Sequence, residues 1–376
     1  MRMGICGVSS FGSGFVPLFA RHPDVDAVCV ADLDAGARAK ARGKHPAARE
    51  CQTLDELLDA DVDAVALFTP TWTHAAMAAQ ALRAGKHVLC ACPVGVTLDE
   101  VRAVVEEVGR SGKIYMTAET SYYYPLALYA REAWAAGRFG DFVYGEGQYY
   151  YRPEAYPFYL RDYYCNMPPI LYATHSTAFL AGVTGKRFER VTCVGTPGLN
   201  PAYLPFRRRP EWRENEVSNM TMLGVLSGGG TGRINEMRDV GASEVTAGLF
   251  GTRGSICQHA GGAVWSDGIG RPIDLTALWK DPSRHPHAEP ARRLPAAYEA
   301  TAYGGLGMGI EGTQRFLADE FVRAVREDRR PHNHVWLAAK YAAPGIVAWE
   351  SLKQNNAWLE VPDFGEPSDG RKPLEC

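Results

Sequence analysis

The sequence has no block of like charge. Its 40 Lys and Arg residues and 43 Asp and Glu residues are mixed along 376 positions, for a formal net charge of −3. Without a basic stripe a nucleic-acid partner is excluded, and without an acidic tail no charged partner is implied. No apolar run approaches the ~20 residues needed to cross a bilayer, so no membrane association is expected. The nine cysteines lack the spacing of a disulfide framework. Cys6, Cys29 and Cys193 sit in apolar runs, where a free thiol packs as a small hydrophobe. That usage fits a reducing compartment. Met3-Gly4-Ile5-Cys6-Gly7 runs into a strand pattern with no leader ahead of it, so a soluble, cytoplasmic protein is expected. Cys90 and Cys92 have no second cysteine pair, and His285 and His287 lie in a Pro-rich stretch, so no metal is expected. Internal repeats and long low-complexity segments are also absent.

What is present is an ordinary globular composition, 46% apolar and 22% charged, in a chain longer than one core usually serves. Two domains are expected, residues 1–121 and 122–376. In the first, short apolar runs alternate with helical patterns. Strands are expected at Met3–Val8, Ala27–Ala31, Val62–Phe68, His87–Cys90 and Ile114–Ala118. Helices are expected from Phe15, at Ala37–Ala47, Thr73–Ala84 and Thr97–Arg110, the last opened by a capping box of Thr97 and Glu100. This alternation predicts a parallel, doubly wound α/β sheet, a Rossmann domain. After about Tyr122 one helix (Ala127–Ala136) gives way to period-2 strands at Phe142–Tyr151, Arg190–Gly195, Ser218–Leu226 and Gly232–Met237. Gly228-Gly229-Gly230 forms the turn between the last two. This half reads as α+β with an open, largely antiparallel sheet. Asp281–Pro295 reads as a surface loop, and helical patterns at Thr313–Arg326 and Val335–Leu352 close the chain.

Gly7-Val8-Ser9-Ser10-Phe11-Gly12 joins the first strand to the first helix in the manner of a dinucleotide-binding turn, with Ser9 where a second glycine is usual. Gly7 permits the tight turn, Gly12 permits close helix–strand packing, and a pyrophosphate would lie against free N–H groups. The hydroxyls of Ser9 or Ser10 could donate to it. Asp32 ends the second strand about 20 residues later, where an acid binds the adenosine ribose hydroxyls. Its charge repels a 2′-phosphate and Leu33 offers no cation, so NAD is favoured over NADP.

Further segments carry a family resemblance: Thr69-Pro70-Thr71-Trp72-Thr73-His74, Ala84-Gly85-Lys86-His87-Val88-Leu89-Cys90, Gly140-Asp141-Phe142-Val143 with Glu146-Gly147, and Val361-Pro362. The chain resembles the glucose–fructose oxidoreductase / inositol dehydrogenase / MocA family over nearly its whole length. The resemblance implies NAD as cofactor, held also by Thr69, Pro70, Thr71, Trp72, His74, Cys92, Pro93 and Glu119. It implies a sugar or polyol substrate, and an open sheet whose outer face makes a homodimer or homotetramer.

Two departures bear on mechanism. Most dehydrogenases of the family carry Glu-Lys-Pro where this chain has Ala91-Cys92-Pro93, and commonly an Asp four residues before the histidine, where this chain has Leu171 before His175. An alcohol losing hydride needs a base, so other groups must serve. Glu119, Tyr149 and Tyr172-Ala173-Thr174-His175, without that lysine, resemble the NAD-dependent glycoside hydrolase branch. That branch implies a redox-neutral hydrolysis without paired catalytic carboxylates. A sugar hydroxyl, typically at C3, is oxidised with NAD⁺ and the neighbouring C–H becomes acidic. A base removes that proton, the aglycone is eliminated, water adds, and the retained NADH reduces the ketone.

By this resemblance His175 binds or deprotonates the hydroxyl with Tyr172 beside it, Tyr149 takes the carbon-bound proton, and Glu119 contacts the nicotinamide ribose or the substrate. Tyr149 is one of three consecutive tyrosines, of which alternation turns at least one away from any pocket. Tyr122, Tyr123 and Tyr124 share that ambiguity, and Tyr122, Tyr124 and Arg238 are expected at the substrate. The branch includes enzymes for sulfonated sugars, for which Arg207-Arg208-Arg209, Arg233 or Arg238 are candidate anion contacts. A dehydrogenase with net hydride transfer and a non-catalytic NAD-binding regulator are the alternative readings.

Overall fold

The computed structural model describes residues 1–9, 11–150, 167–199, 212, 215–241, 244–259, 262–268, 272–275 and 310–375. Six strands build the first sheet: β1 (Arg2–Cys6), β2 (Ala27–Ala31), β3 (Arg49–Cys51), β4 (Ala64–Leu67), β5 (His87–Cys90) and β6 (Tyr115–Thr117). Their order is β3-β2-β1-β4-β5-β6, and every pairing is parallel. This is the doubly wound Rossmann order, in which ligands bind beyond the strand C-termini where the order reverses between β1 and β4. The strands read as unbroken apolar runs because helices cover both faces. Crossovers are made by α1 (Phe15–Arg21), α2 (Ala35–Lys44), α3 (Leu54–Asp59), α4 (His74–Arg83) and α5 (Leu98–Ser111). In α5 the Thr97–Glu100 capping box forms in both directions, and Gly112 ends the helix at φ 62°. The pair β3 and α3 went unforeseen: three- and six-residue elements are too short to display a period.

The second sheet has nine strands and follows α6 (Pro125–Ala135). These are β7 (Phe142–Tyr150), β8 (Phe188–Pro197), β9 (Val217–Leu226), β10 (Thr231–Met237), β11 (Glu244–Gly251), β12 (Ser255–His259), β13 (Gly262–Ser266), β14 (Ile273–Asp274) and β15 (Leu359–Glu360). The order is β14-β13-β12-β11-β7-β10-β9-β8-β15. All pairings are antiparallel except that of β7 with β10. The turn from β9 to β10 carries three consecutive positive-φ glycines, Gly228, Gly229 and Gly230, a conformation that side-chain-bearing residues resist.

Against this sheet lies α7 (Thr174–Thr184), a helix the sequence pattern concealed because nearly every residue in it is buried, polar ones included. It presses on β7 at Gly147, where a Cβ would come within 2.5 Å of the Ser176 carbonyl oxygen. The last helices, α8 (Ile310–Glu327) and α9 (Val335–Lys353), return to the first sheet. Phe316, Leu317, Phe321 and Val322 of α8 join the core of β1, α1 and β2, while Trp336 and Ala339 of α9 join that of α4 and α5. Residues far beyond 121 therefore complete the hydrophobic layers of the Rossmann sheet.

Candidate active site

The dinucleotide loop is shaped by contacts that only glycine permits. Gly7 has φ 88°, and a Cβ there would meet the Phe68 carbonyl oxygen at 2.4 Å; a Cβ on Gly12 would meet the Gly7 carbonyl oxygen at 1.9 Å. The turn thus closes tightly between β1 and a 3-10 turn at Phe11–Gly14 that leads into α1. Ser9 is exposed at the loop, and Ser10 lies outside the described residues. The Phe11 ring turns inward, packing edge-on against Phe15 and Phe68 at 5.2 and 5.5 Å. Asp32, half-buried at the end of β2, accepts hydrogen bonds from Val8 N at 2.9 Å and Asp34 N at 3.0 Å. Its carboxylate is thereby fixed beside the glycine loop. A glycine cradle with an acid at the next strand end fits a dinucleotide with a free ribose diol.

The β4–α4 turn is tied internally. Thr69 and Thr73 share a hydroxyl contact of 2.7 Å, and Thr73 donates to the Pro70 carbonyl. Thr71 is buried, and Trp72 meets Trp212 edge-on at 5.9 Å. His74, expected at the cofactor, is enclosed beneath the loops. Its ring nitrogens lie 2.9 Å from the Pro93 carbonyl and 2.8 Å from that of Thr69, clamping the ends of β4 and β5 together. Burial pushes its pKa down, against the pull of those two carbonyls. The Cys92–Pro93 bond is cis, and Cys92 is buried.

Beyond the strand ends four expected residues converge. Glu119 caps the 3-10 turn Thr120–Tyr123 and is fully enclosed. Its Oε1 accepts from Ser121 N at 3.0 Å, from Ser121 Oγ at 2.6 Å and from His175 Nδ1 at 2.5 Å. A proton on Nδ1 leaves Nε2 as the acceptor, and Nε2 lies 3.3 Å from the Tyr172 hydroxyl. The Tyr149 ring stands 4.9 Å from that of His175. Burial alone would raise the Glu119 pKa, but His175 beside it and the Ser121 hydrogen bonds hold it below the usual carboxylate value. The Cys92 thiol lies 4.0 Å from the Tyr172 hydroxyl, and burial, with the Glu119 charge, pushes its pKa well up. Ligand atoms of Cys92, Glu119 and His175 fall within 4.8 Å of one another. The 2.5 Å contact is nonetheless a hydrogen bond, since two ~2.1 Å bonds to one tetrahedral zinc would hold nitrogen and oxygen further apart.

Strand parity separates Tyr149 from Tyr150. Tyr149 faces inward with Gly145 and Gly147, toward α7. Tyr150 faces outward and donates to Gln148, and Tyr151 lies outside the described residues. Tyr122 and Tyr124, expected at the substrate, are both buried. Tyr122 lies beneath the Arg131 guanidinium, 3.7 Å from ring centroid to Cζ, and abuts α7 at Gly182. Tyr124 belongs to the core of the second sheet. Arg233 points to the outer face and pairs with Glu146 at 2.7 Å. Arg238 follows β10 on the inner face and pairs with Glu236 at 3.1 Å. Arg207, Arg208 and Arg209, like His285 and His287, lie outside the described residues. Ser121, Ser176 and Glu236 were given no role from sequence; an acid two residues before Arg238 on an inward strand position was the available clue to the last.

A first sheet with a dinucleotide cradle, and a second sheet against which α7 sets His175 beside Tyr149, define an NAD-binding Rossmann enzyme. Residues 1–119 match the family model described as "Oxidoreductase family, NAD-binding Rossmann fold", GFO_IDH_MocA, so the first sheet is an NAD-binding Rossmann domain of that kind. The chain is similar to a glycosyl hydrolase family 109 protein of Saccharopolyspora erythraea, 26% identical over 97% of this chain and 83% of the relative. A protein of the same description from Streptomyces niveus is 28% identical over 100% and 81%. Among solved structures, levoglucosan dehydrogenase in complex with NADH and levoglucosan shares the fold, at a TM-score of 0.76 and 20% identity over 96% of this chain and 99% of that one.

Proposed function

We propose that the chain is an NAD⁺-dependent glycoside hydrolase that cleaves a sugar glycoside by oxidation, elimination, addition and reduction. The observation that carries this is the convergence of two proton acceptors on one place. His175 Nε2 is oriented by Glu119 at Nδ1, and the Tyr149 ring stands 4.9 Å away on the facing strand. Oxidising a hydroxyl requires loss of the O–H proton, and elimination requires loss of a C–H proton, so one base for each suits a lyase-like hydrolysis better than hydride transfer alone. The full-length likeness to glycosyl hydrolase family 109 proteins supports the same reading.

Gly7, Ser9, Ser10, Phe11, Gly12 and Asp32 would hold the dinucleotide, with the Thr69–Trp72 turn and the Cys92–Pro93 turn beside it. When bound, NAD⁺ supplies reversible hydride transfer with a sugar carbon. His175 Nε2 accepts the hydroxyl proton while Glu119 stabilises the resulting imidazolium. Tyr172, whose hydroxyl faces Nε2, orients the same oxygen. Tyr149 takes the proton from the carbon next to the new ketone, and the aglycone leaves. Water then adds across the new double bond: its hydroxide goes to the carbon the aglycone left, the Tyr149 proton returns to the neighbouring carbon, and water's remaining proton neutralises the aglycone anion. His175 returns its proton to the sugar oxygen as the ketone is reduced.

Whether the sugar is neutral or sulfonated is decided by the substrate panel below; Arg233 and Arg238 each pair with a carboxylate. Val194 and Leu223 are about half exposed (52% and 46%) on the outer face of β8 and β9, supporting a homodimer or homotetramer joined there. Among the described residues no helix is long and apolar enough to cross a membrane, and buried free thiols support a cytoplasmic setting.

The test is turnover of neutral and anionic aryl glycosides in D₂O with NAD⁺ bound. Phenol release with deuterium at C2 of the sugar and no accumulating NADH is expected. Stoichiometric NADH from free sugars or polyols, without phenol, would replace this reading by a net dehydrogenase.

A further inference from the structure

Tyr149 and Tyr172 share a neighbour that the reaction above leaves unused. The Cζ atom of Arg238 lies 6.0 Å from the Tyr149 ring centroid and 5.9 Å from that of Tyr172. Arg238 and Tyr149 are only 7% and 4% exposed, so little solvent screens one from the other. Their placement follows from register. In the parallel pair of β7 and β10, Glu236 stands opposite Tyr149, and Arg238, two residues on, points to the same face. Glu236 is fully buried between two donors. Arg238 Nη1 reaches its Oε2 at 3.1 Å, and Ser176 Oγ donates to its Oε1 at 2.8 Å. Ser176 is the residue after His175 on α7, so the histidine's own helix anchors the carboxylate that holds the guanidinium.

We propose that Arg238, held by Glu236 and Ser176, is a positioning residue whose fixed charge makes Tyr149 acidic enough to serve as the base. This inference rests on the reading of Tyr149 as the acceptor of the carbon-bound proton.

A phenol ordinarily ionises near pH 10, and burial works against the phenolate. A guanidinium cannot deprotonate in a protein, so its charge is permanent. At about 6 Å with an effective dielectric near 20 it lowers the ionisation of a facing phenol by roughly one to two pH units. The groups facing Tyr149 among the described residues are His175 on α7, with Glu119 behind it, Glu236 and Arg238 on β10, and Tyr172. Its antiparallel partner on β11 is the apolar Val245. The opposing charge is that of Glu236, and burial pushes its pKa up to about 7. Below that pH the neutral carboxyl still accepts from Arg238 without cancelling its charge.

The experiment is an ultraviolet difference titration of tyrosinate on the NAD⁺-bound full chain, with Y149F subtracted to isolate one phenol. In R238Q that phenol should ionise one to two pH units higher, and R238K should restore most of the difference. The acidic limb of the pH profile for aglycone release should move by the same amount. An unmoved Tyr149 titration in folded R238Q would overturn the proposal. If R238Q does not fold, the near-isosteric E236Q decides: removing the counter-charge should lower the Tyr149 titration above neutral pH, and no change overturns the proposal. If no aryl glycoside is cleaved, the functional reading fails while the titration still judges Arg238.

Discussion

Replacing Glu119 by Gln keeps the side chain's shape and removes its charge. The amide oxygen can still accept from Ser121 and from His175 Nδ1, so the imidazole keeps its place. What is lost is the stabilisation of the charged ring when Nε2 takes a proton. The carboxylate and imidazolium centres would lie roughly 4 Å apart in a fully enclosed site, worth about 4 kcal/mol at an effective dielectric of 20. That corresponds to about three orders of magnitude in a rate limited by the step that charges the histidine. Single-turnover formation of bound NADH, followed by absorbance, measures this step directly, and E119Q should bind NAD⁺ as before. Retention of the rate within about tenfold would refute the assignment of Glu119 as the group that orients and charges His175. Stability gives a second reading. The Glu119 pKa is held below its ordinary value, so its contribution is fully present above about pH 4.5 and is lost as pH falls through the folded value. Acid unfolding of E119Q should lack that component.

Three further outcomes follow from packing and charge. Gly12→Ala places a methyl group against the Gly7 carbonyl oxygen and should weaken NAD⁺ binding at least tenfold by calorimetry, with smaller effects on the second sheet. Gly147→Ala pushes α7 off β7 at Ser176; turnover should fall by about 10²-fold while NAD⁺ affinity stays within threefold, because the displaced helix carries His175. Glu236 has a folded pKa raised from 4.5 to about 7, so the native state binds the extra proton and stability declines from about pH 4.5 to 7, then levels. In E236Q the melting temperature should lose that decline, a difference of a few degrees between pH 5 and 7.5.

The legible parts of the molecule are those in which neighbours in sequence are neighbours in space. β2 and β5 fall where their apolar runs lie, the Thr97–Glu100 box caps α5, and the triple glycine turns β9 into β10. Each depends on a period or a steric rule acting within a few residues. The glycine loop and Asp32 are local in the same way, since one βα turn and one strand end bring them side by side. Where local pattern was weak or misleading, reading failed: β3 and α3 were too short, and α7 showed no apolar stripe because it is buried all round.

The sequence by itself determined that a Rossmann sheet binding NAD stands first and a mostly antiparallel sheet follows. The family resemblance, read from its motifs, pointed to Glu119, Tyr149, Tyr172 and His175. Only the tertiary structure decided that Glu119, 56 residues away, caps His175 Nδ1, and that Ser176 and Glu236, 60 residues apart, hold Arg238 against the tyrosines. It alone brought α8 and α9 back to complete the first core. The physical reason is that propensity and periodicity are set by short-range sterics. The partner of a buried charge is set by which chain segments close-packing brings together, and one residue of strand parity suffices to turn Tyr149 inward and Tyr150 out.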